Sequence, residues 1–421
     1  MTKADYRTWF GQPRGLTILF LTNMWEQFSY YGMRSLLIYY MTRSLLLGQA
    51  RASLVYGAYT AVAYFTPIIG GTIADRFLGK RRAVIIGASI MAAGHFMMAF
   101  DALFYPALAT IAVGNGLFLP SLPSQIDDLY AAADPRRPWA YNVYYVGINI
   151  GGFLAPLICG TLGEVYGWHY GFAAAGVGMV AGLLIYLAGG RYLPSAPPAR
   201  ASSSATVGFD RATIFVLVAV ALAATVFRGA YEQIGNTVAL WAESGVDRRV
   251  GGAVIPMTWF QALDPLLVML LTPPLLAWWA RRARSRPVFN AAKRMATGAG
   301  IVAAAYLLLA AVAAATPVGG LAGWGWLVLF FVIYTTGELF VLPTGLGLFA
   351  RLAPPGRGAT TIAAWFLTIF SGSLAAGVVG TLWGQMGHPA YFILLALIAA
   401  SSAGLLRAAA PLLDRVERGS R

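Results

Sequence analysis

The chain has 421 residues, of which 58% are apolar, 13% aromatic and 11% charged, against about 25% charged in a soluble domain. That composition excludes a water-soluble globular protein and makes a lipid bilayer the solvent. The formal net charge of +14 leaves nucleic-acid binding as an alternative until the placement of the cations is known.

Apolar runs long enough to cross about 30 Å of hydrocarbon recur at 15–42, 52–74, 83–104, 107–130, 139–162, 170–191, 212–240, 250–280, 288–315, 323–351, 358–385 and 389–411. They predict twelve transmembrane helices, and their continuous rather than alternating hydrophobicity argues against an outer-membrane barrel. The first run contains NMWEQFSYYGMR, Asn23 to Arg34, which sets an acid, amides, two tyrosines and an arginine into apolar sequence. Between the second and third lies GGTIADRFLGKRR, Gly70 to Arg82. Its glycines let two helices approach, Asp75 can cap or pair at a helix end, and its basic cluster suits an anionic leaflet. After the fourth, Asp127 and Asp128 stand side by side where they can cap or hydrate the end of that span. Between the sixth and seventh lies PSAPPARASSSATVGFD, Pro194 to Asp210, a linker composition. The chain therefore divides into a six-helix bundle over 1–193, a cytoplasmic linker over 194–210 and a second six-helix bundle over 211–421. Such an all-α arrangement suits two bundles rocking about a shared central site. That symmetry rests on span count, since the halves share no convincing residue-level repeat.

With the N-terminus in the cytoplasm, 24 of the 30 Lys and Arg fall on the cytoplasmic side, among them Lys80, Arg81, Arg82 and the Arg281–Arg294 cluster. The opposite side holds only Arg43, Arg51, Arg248 and Arg249, and Arg34 and Arg228 lie within spans. The positive-inside bias predicts both termini in the cytoplasm and turns the basic balance into an orientation signal rather than a nucleic-acid footprint. No cleavable signal peptide is expected, because the first ten residues are polar and no small-residue cleavage site follows the first apolar run. Lone Cys159 excludes an internal disulfide, and His95, His169 and His388 on separate hairpins argue against a metal site. No paired acids, histidine cluster or activated serine forms a convincing catalytic set near a span end, so an enzyme is not expected. A substrate sensor built on a transporter fold is the harder alternative, although short tails offer no signalling domain.

An ionisable side chain inside a span is expensive and normally faces a cavity or partner. At 1.5 Å per residue, Glu26 lies about 16 Å into its span, Asn149 about 15 Å, Asp264 about 21 Å and Glu338 about 20 Å, all near the midplane. Arg34 and Glu232 are each roughly 30 Å from the cytoplasmic start of spans one and seven, and Arg228 about 24 Å. On the first helix Asn23, Gln27, Tyr30 and Arg34 fall within about 40° of one face, with Glu26 some 60° to the side, so that face is predicted to line a cavity.

GGTIADRFLGKRR follows the G-x-x-x-D-R-x-G-R-[KR] loop of the major facilitator superfamily, with one extra residue before Gly79. Five further stretches are more specific: WEQFSYYGMRSLL (25–37), YFTPIIGGTIADRFLG (64–79), YYVGINIGGFLAPLICGTLGEVYGWHYGF (144–172), WFQALDPLL (259–267) and GELFVLPTGLGLFARLAP (337–354). In order, they resemble spans one, two, five to six, eight and ten of the proton-dependent oligopeptide transporter family, over about residues 15 to 385. The resemblance implies the twelve-helix facilitator fold and import of di- and tripeptides with a proton, the proton being the coupling ion and no cofactor being needed. It implies a monomer with both termini inside the bacterial cytoplasmic membrane. Bacterial members often carry two extra helices between spans six and seven, for which this linker is too short.

A peptide zwitterion in a low-dielectric cavity needs a carboxylate for its amine, a cation or donor set for its carboxylate and adaptable side-chain pockets. Glu338 resembles the family's amine-binding glutamate and Asn149 its backbone-holding asparagine, while Tyr30, Tyr31, Tyr64 and Trp365 stand at positions that supply phenols and apolar walls. Two departures stand out. The family's E-x-x-E-R-F reads N-x-x-E-Q-F here, keeping Glu26 but placing Asn23 and Gln27 at the first acid and the arginine, and GNGLFLPSLPS carries Leu119 where the family usually has lysine. Two other residues are candidates to compensate: Asp264 replaces the common asparagine, and Arg228 stands where an apolar aromatic is usual and is the expected substitute anchor for the substrate carboxylate. Four acids (Glu26, Glu232, Asp264, Glu338) then face two cations (Arg34, Arg228) in the spans. Burial and like charge both disfavour full ionisation, so Glu26, Glu232 and Asp264 are the candidate proton carriers, as a coupled set. The alternative is a proton-independent facilitator, or a carrier of another small amine or zwitterion.

Arg34 and Glu232 at one depth are expected to pair as a latch that biases the rocking equilibrium. Arg228, one turn before Glu232, is an alternative member of that latch. Swapping the charges at both Arg34 and Glu232 is predicted to restore transport lost in each single reversal, measured as uptake; a double swap that stays inactive would count against the latch.

Overall fold

The computed structural model describes residues 8–9, 11–131, 134–194, 208–285, 290–354 and 357–419. The helices are α1 (Arg14–Arg43), α2 (Gln49–Ile73), α3 (Lys80–Met97), α4 (Phe104–Ser121), α5 (Arg137–Ala155), α6 (Thr161–Val165), α7 (Trp168–Ala188), α8 (Arg211–Tyr231), α9 (Thr237–Ser244), α10 (Trp259–Ser285), α11 (Ala291–Ala315), α12 (Trp324–Arg351), α13 (Gly358–Gly380) and α14 (His388–Gly419). A π-helical turn, Pro156–Gly160, joins α5 to α6, and a 3-10 turn, Glu232–Gly235, joins α8 to α9. Among the described residues, ten helices are long and apolar enough to cross a membrane. Helix α1 has the length but is diluted by Arg14, Glu26, Arg34 and Arg43, and α3 opens on Lys80, Arg81 and Arg82. Most of the predicted linker, at 195–207, lies outside the described residues.

Packing divides the chain into two compact units, Met1–Tyr40 with Val62–Ser202 and Met41–Ala61 with Ser203–Arg421. The boundary falls inside α2, so the first half of that helix packs with the second unit. There Ser53 Oγ donates to Asn236 Oδ1 at 2.8 Å, Gln49 Nε2 to the Gly380 carbonyl at 2.8 Å, and Arg43 pairs with Glu243 at 2.6 Å. Small residues permit that contact: a Cβ on Gly57 would lie 2.5 Å from the Gly377 Cα. In the first unit, a Cβ on Gly70 would lie 2.1 Å from the Gly116 carbonyl oxygen, closing α2 on α4. This is the close approach that small residues allow between membrane helices, where dispersion and shape rather than hydrophobicity drive association.

Three local features differ from a plain reading of the apolar runs. The extra residue before Gly79 is absorbed as a π-helical turn, Ala74–Leu78, ended by Gly79 at φ 75°, a left-handed value that glycine tolerates. Asp127 and Asp128 do not cap a helix end. Asp127 accepts from Arg137 Nε at 2.7 Å and Tyr141 at 2.8 Å, and Lys80 Nζ donates to Asp128 at 2.7 Å, tying α3 and α5 to the loop after α4. In the same loop Arg136 holds the Asp134 carboxyl at about 2 through side-chain and backbone hydrogen bonds, so Asp134 stays ionised at physiological pH and adds no pH dependence. Span eight, predicted from residue 250, begins as a helix only at Trp259, because Gly251 and Gly252 at φ 55° and 87° turn Arg249–Val250 back onto Ala253–Val254 as a short hairpin.

Candidate functional site

In the first unit the polar groups gather on α1. Glu26 is 1% exposed, and Gln27 Nε2 donates to its Oε2 at 2.7 Å. The glutamine at the family's arginine position thus serves the neighbouring acid, giving it a neutral donor rather than a counter-charge. Asn23 Nδ2 donates to the Tyr144 carbonyl at 3.2 Å and so pins α1 to α5. The two helices are in backbone contact nearby, since a Cβ on Gly151 would lie 2.2 Å from the Met24 carbonyl oxygen. Tyr30 and Tyr31 pack edge to face at 5.4 Å between ring centroids. Arg34 is buried one helical turn beyond Tyr30. Asn149 on α5 donates its Nδ2 to the Tyr145 carbonyl of its own helix at 2.9 Å, and Tyr64 is half-buried on α2. Leu119, at the usual lysine position, is half-buried on α4.

The second unit carries a longer polar network. Span seven breaks at Tyr231, and Glu232, 1% exposed, opens the 3-10 turn that follows. Arg228 and Glu232 form a buried i, i+4 ion pair, and the Arg228 guanidinium lies 5.0 Å from the centroid of the Tyr231 ring. The Tyr231 hydroxyl donates to Glu338 Oε1 at 3.0 Å, and the rings of Tyr231 and Tyr334 stack at 5.7 Å. Asp264 Oδ1 accepts from Thr335 Oγ1 at 2.7 Å, and the Asp264 carboxyl lies within hydrogen-bonding reach of the Glu338 carboxyl. Three of the four acids singled out from the sequence therefore share one cluster with Arg228.

A break in a membrane helix is tolerated where its freed backbone groups find partners. Here Tyr306 donates to the Ala230 carbonyl at 2.7 Å and Tyr334 to the Tyr231 carbonyl at 2.6 Å, while Gln233 Nε2 reaches the Ala376 carbonyl at 2.9 Å. Residue type and position alone do not single out Tyr231, Tyr334 and Thr335; the available signal is spacing, because Tyr334 and Thr335 stand four and three residues before Glu338. Trp365, proposed from its family position as a cavity wall, is buried in its own unit against Phe349, with ring centroids 5.1 Å apart, and over Gly345. Asp264 falls five residues into α10, about 8 Å from its first residue, rather than the greater depth that a helix from residue 250 would give.

The POT family profile matches residues 81–209 and 201–392. The peptide transporter YePEPT of Yersinia enterocolitica is 31% identical, over 89% of this chain and 88% of its own. The chain belongs to the POT family. A di-/tripeptide transporter of Lactococcus lactis subsp. cremoris is 30% identical over 86% of this chain and 88% of its own. Among solved structures, a peptide transporter POT in complex with sulfate superposes with a TM-score of 0.90 at 28% identity, covering 97% of this chain and 96% of that one. A point variant of a peptide transporter POT in complex with alafosfalin superposes at 0.89 and 29% identity, over 97% and 96%. This POT protein therefore has the major facilitator fold of a membrane transporter and is not an enzyme.

Proposed function

We propose that this POT protein imports di- and tripeptides together with protons across the bacterial cytoplasmic membrane by alternating access, with both termini in the cytoplasm. The observation that carries the reading is Glu338. The residue is 8% exposed, its Oε1 is bonded to Tyr231, and its Oε2 has no hydrogen-bond donor among the described residues. A buried anion with an oxygen left over is a receptor for an ammonium group, because leaving such an oxygen unsatisfied is costly. The relatives named as peptide transporters support the same substrate. Arg228 and Arg34 are the cations proposed to meet a substrate carboxylate, and Asn149, Tyr30, Tyr31, Tyr64, Trp365 and Gln27 are proposed to supply donors, acceptors and walls.

A second reading, a proton-independent carrier of peptides or of another small amine, draws on the neutral Gln27 and Leu119 at positions where the family usually carries cations. Counterflow tests carriage itself. Purified protein in liposomes preloaded with unlabelled dialanine is expected to concentrate labelled dialanine transiently from outside; no overshoot with di- or tripeptides would refute peptide carriage.

A further inference from the structure

The meeting of Asp264 with Glu338 goes beyond a generic amine receptor. The two carboxyls come from α10 and α12 of the second unit and lie within hydrogen-bonding reach of each other, Glu338 buried and Asp264 half-buried. Tyr231 donates to Glu338 Oε1 and Thr335 to Asp264 Oδ1, whereas the buried Glu338 Oε2 has no donor among the described residues. The other charged and titratable groups around them are Arg228 and Tyr231 on α8, Glu232 in the turn after it, Tyr334 on α12 and Tyr306 on α11, which reaches them through Tyr334. Of these, Arg228 is bonded to Glu232. Two ionised carboxylates within hydrogen-bonding reach, one of them buried, repel, and one proton between them removes the repulsion and fills the vacant acceptor.

We propose that Asp264 and Glu338 form a one-proton carboxyl pair that carries the coupled proton, so that proton and substrate ammonium bind the two halves of a single site within the second unit. The proposal rests on the peptide-carrier reading. A proton from the outer solution forms an O–H bond on Asp264, the ammonium pairs with Glu338, and the two negative and two positive charges cancel. On the inner side the ammonium leaves and the Asp264 O–H bond breaks to water. Asp264 thereby takes over the coupling that an acid at the Asn23 position and an arginine at the Gln27 position would otherwise serve.

The test measures proton and peptide flux together in proteoliposomes with the voltage clamped at zero, for the wild type, Asp264→Asn and Glu338→Gln. One coupled proton allows up to about tenfold accumulation of dialanine per unit of pH gradient. Asp264→Asn is expected to show no gradient-driven accumulation and a proton-to-peptide ratio that falls from one to zero. Asp264→Asn accumulating peptide like the wild type would overturn the pair. Wild-type protein without dialanine counterflow would instead refute the carrier reading on which it rests. Should the variant carry nothing at all, infrared spectra of the folded proteins decide: a protonated-carboxyl C=O band present in the wild type and absent from Asp264→Asn supports the pair, and no such band in the wild type refutes it.

Discussion

Glu338→Gln is expected to abolish concentrative dialanine uptake while the protein remains folded. The substitution keeps the size of the side chain and removes the charge of Glu338, which an ammonium group would meet beside Tyr231. Truncating one member of a desolvated charge pair costs about 2–5 kcal/mol of binding, a loss of roughly 30-fold or more in affinity. Folding should not suffer, because the new amide can donate to Asp264, where the native pair opposes two carboxyls. Binding of labelled dialanine in detergent, followed alongside thermal unfolding, separates the two effects. Weakened binding with an unchanged or raised unfolding temperature fits the assignment, and native affinity in the variant would remove Glu338 from the site.

Arg228→Met has the opposite signature. Arg228 and Glu232 are both buried, and the pair sits where span seven breaks. Removing one member of a buried ion pair costs about 3–5 kcal/mol, because the desolvation of the other is no longer compensated. Loss of the guanidinium also removes its contact with the Tyr231 ring, worth up to about 2 kcal/mol when desolvated. The single variant should therefore show a clear fall in apparent unfolding temperature. The double variant Arg228→Met, Glu232→Gln should recover most of it, since replacing both charges by neutral groups of similar volume is often nearly neutral. A double variant as unstable as the single one would mean that Arg228 supports the break through packing rather than through charge.

The sequence contains enough to anticipate where most helices run, because twenty consecutive apolar residues have few other fates in a bilayer. It also contains the Arg228–Glu232 pairing, since four residues on one helix place two side chains together. The contact of Asp264 with Glu338 is another matter. Hydrophobicity over 250–258 does not distinguish the start of a helix from a short hairpin, and the left-handed glycines at 251 and 252 decide for the hairpin. Moving the start of α10 to Trp259 changes which residues of α12 Asp264 can reach, so a depth counted from residue 250 conveys nothing about that contact. Trp365 illustrates a different limit. A family position offers it as a cavity wall, whereas its packing against the Phe349 ring over Gly345 is a pairing of distant residues that the sequence does not announce. The replacement of arginine by Gln27 is legible as a lost charge, whereas its hydrogen bond to Glu26 is not, because adjacent residues on a helix do not ordinarily face each other.

The account stands on the idea that the buried acids take a proton and an ammonium group together. Uptake of labelled dialanine into proteoliposomes with pH and voltage gradients imposed independently tests this most directly. The prediction is accumulation above the outside concentration when the lumen is alkaline or negative, and its collapse when both gradients are dissipated. Equal uptake with and without the gradients would contradict it.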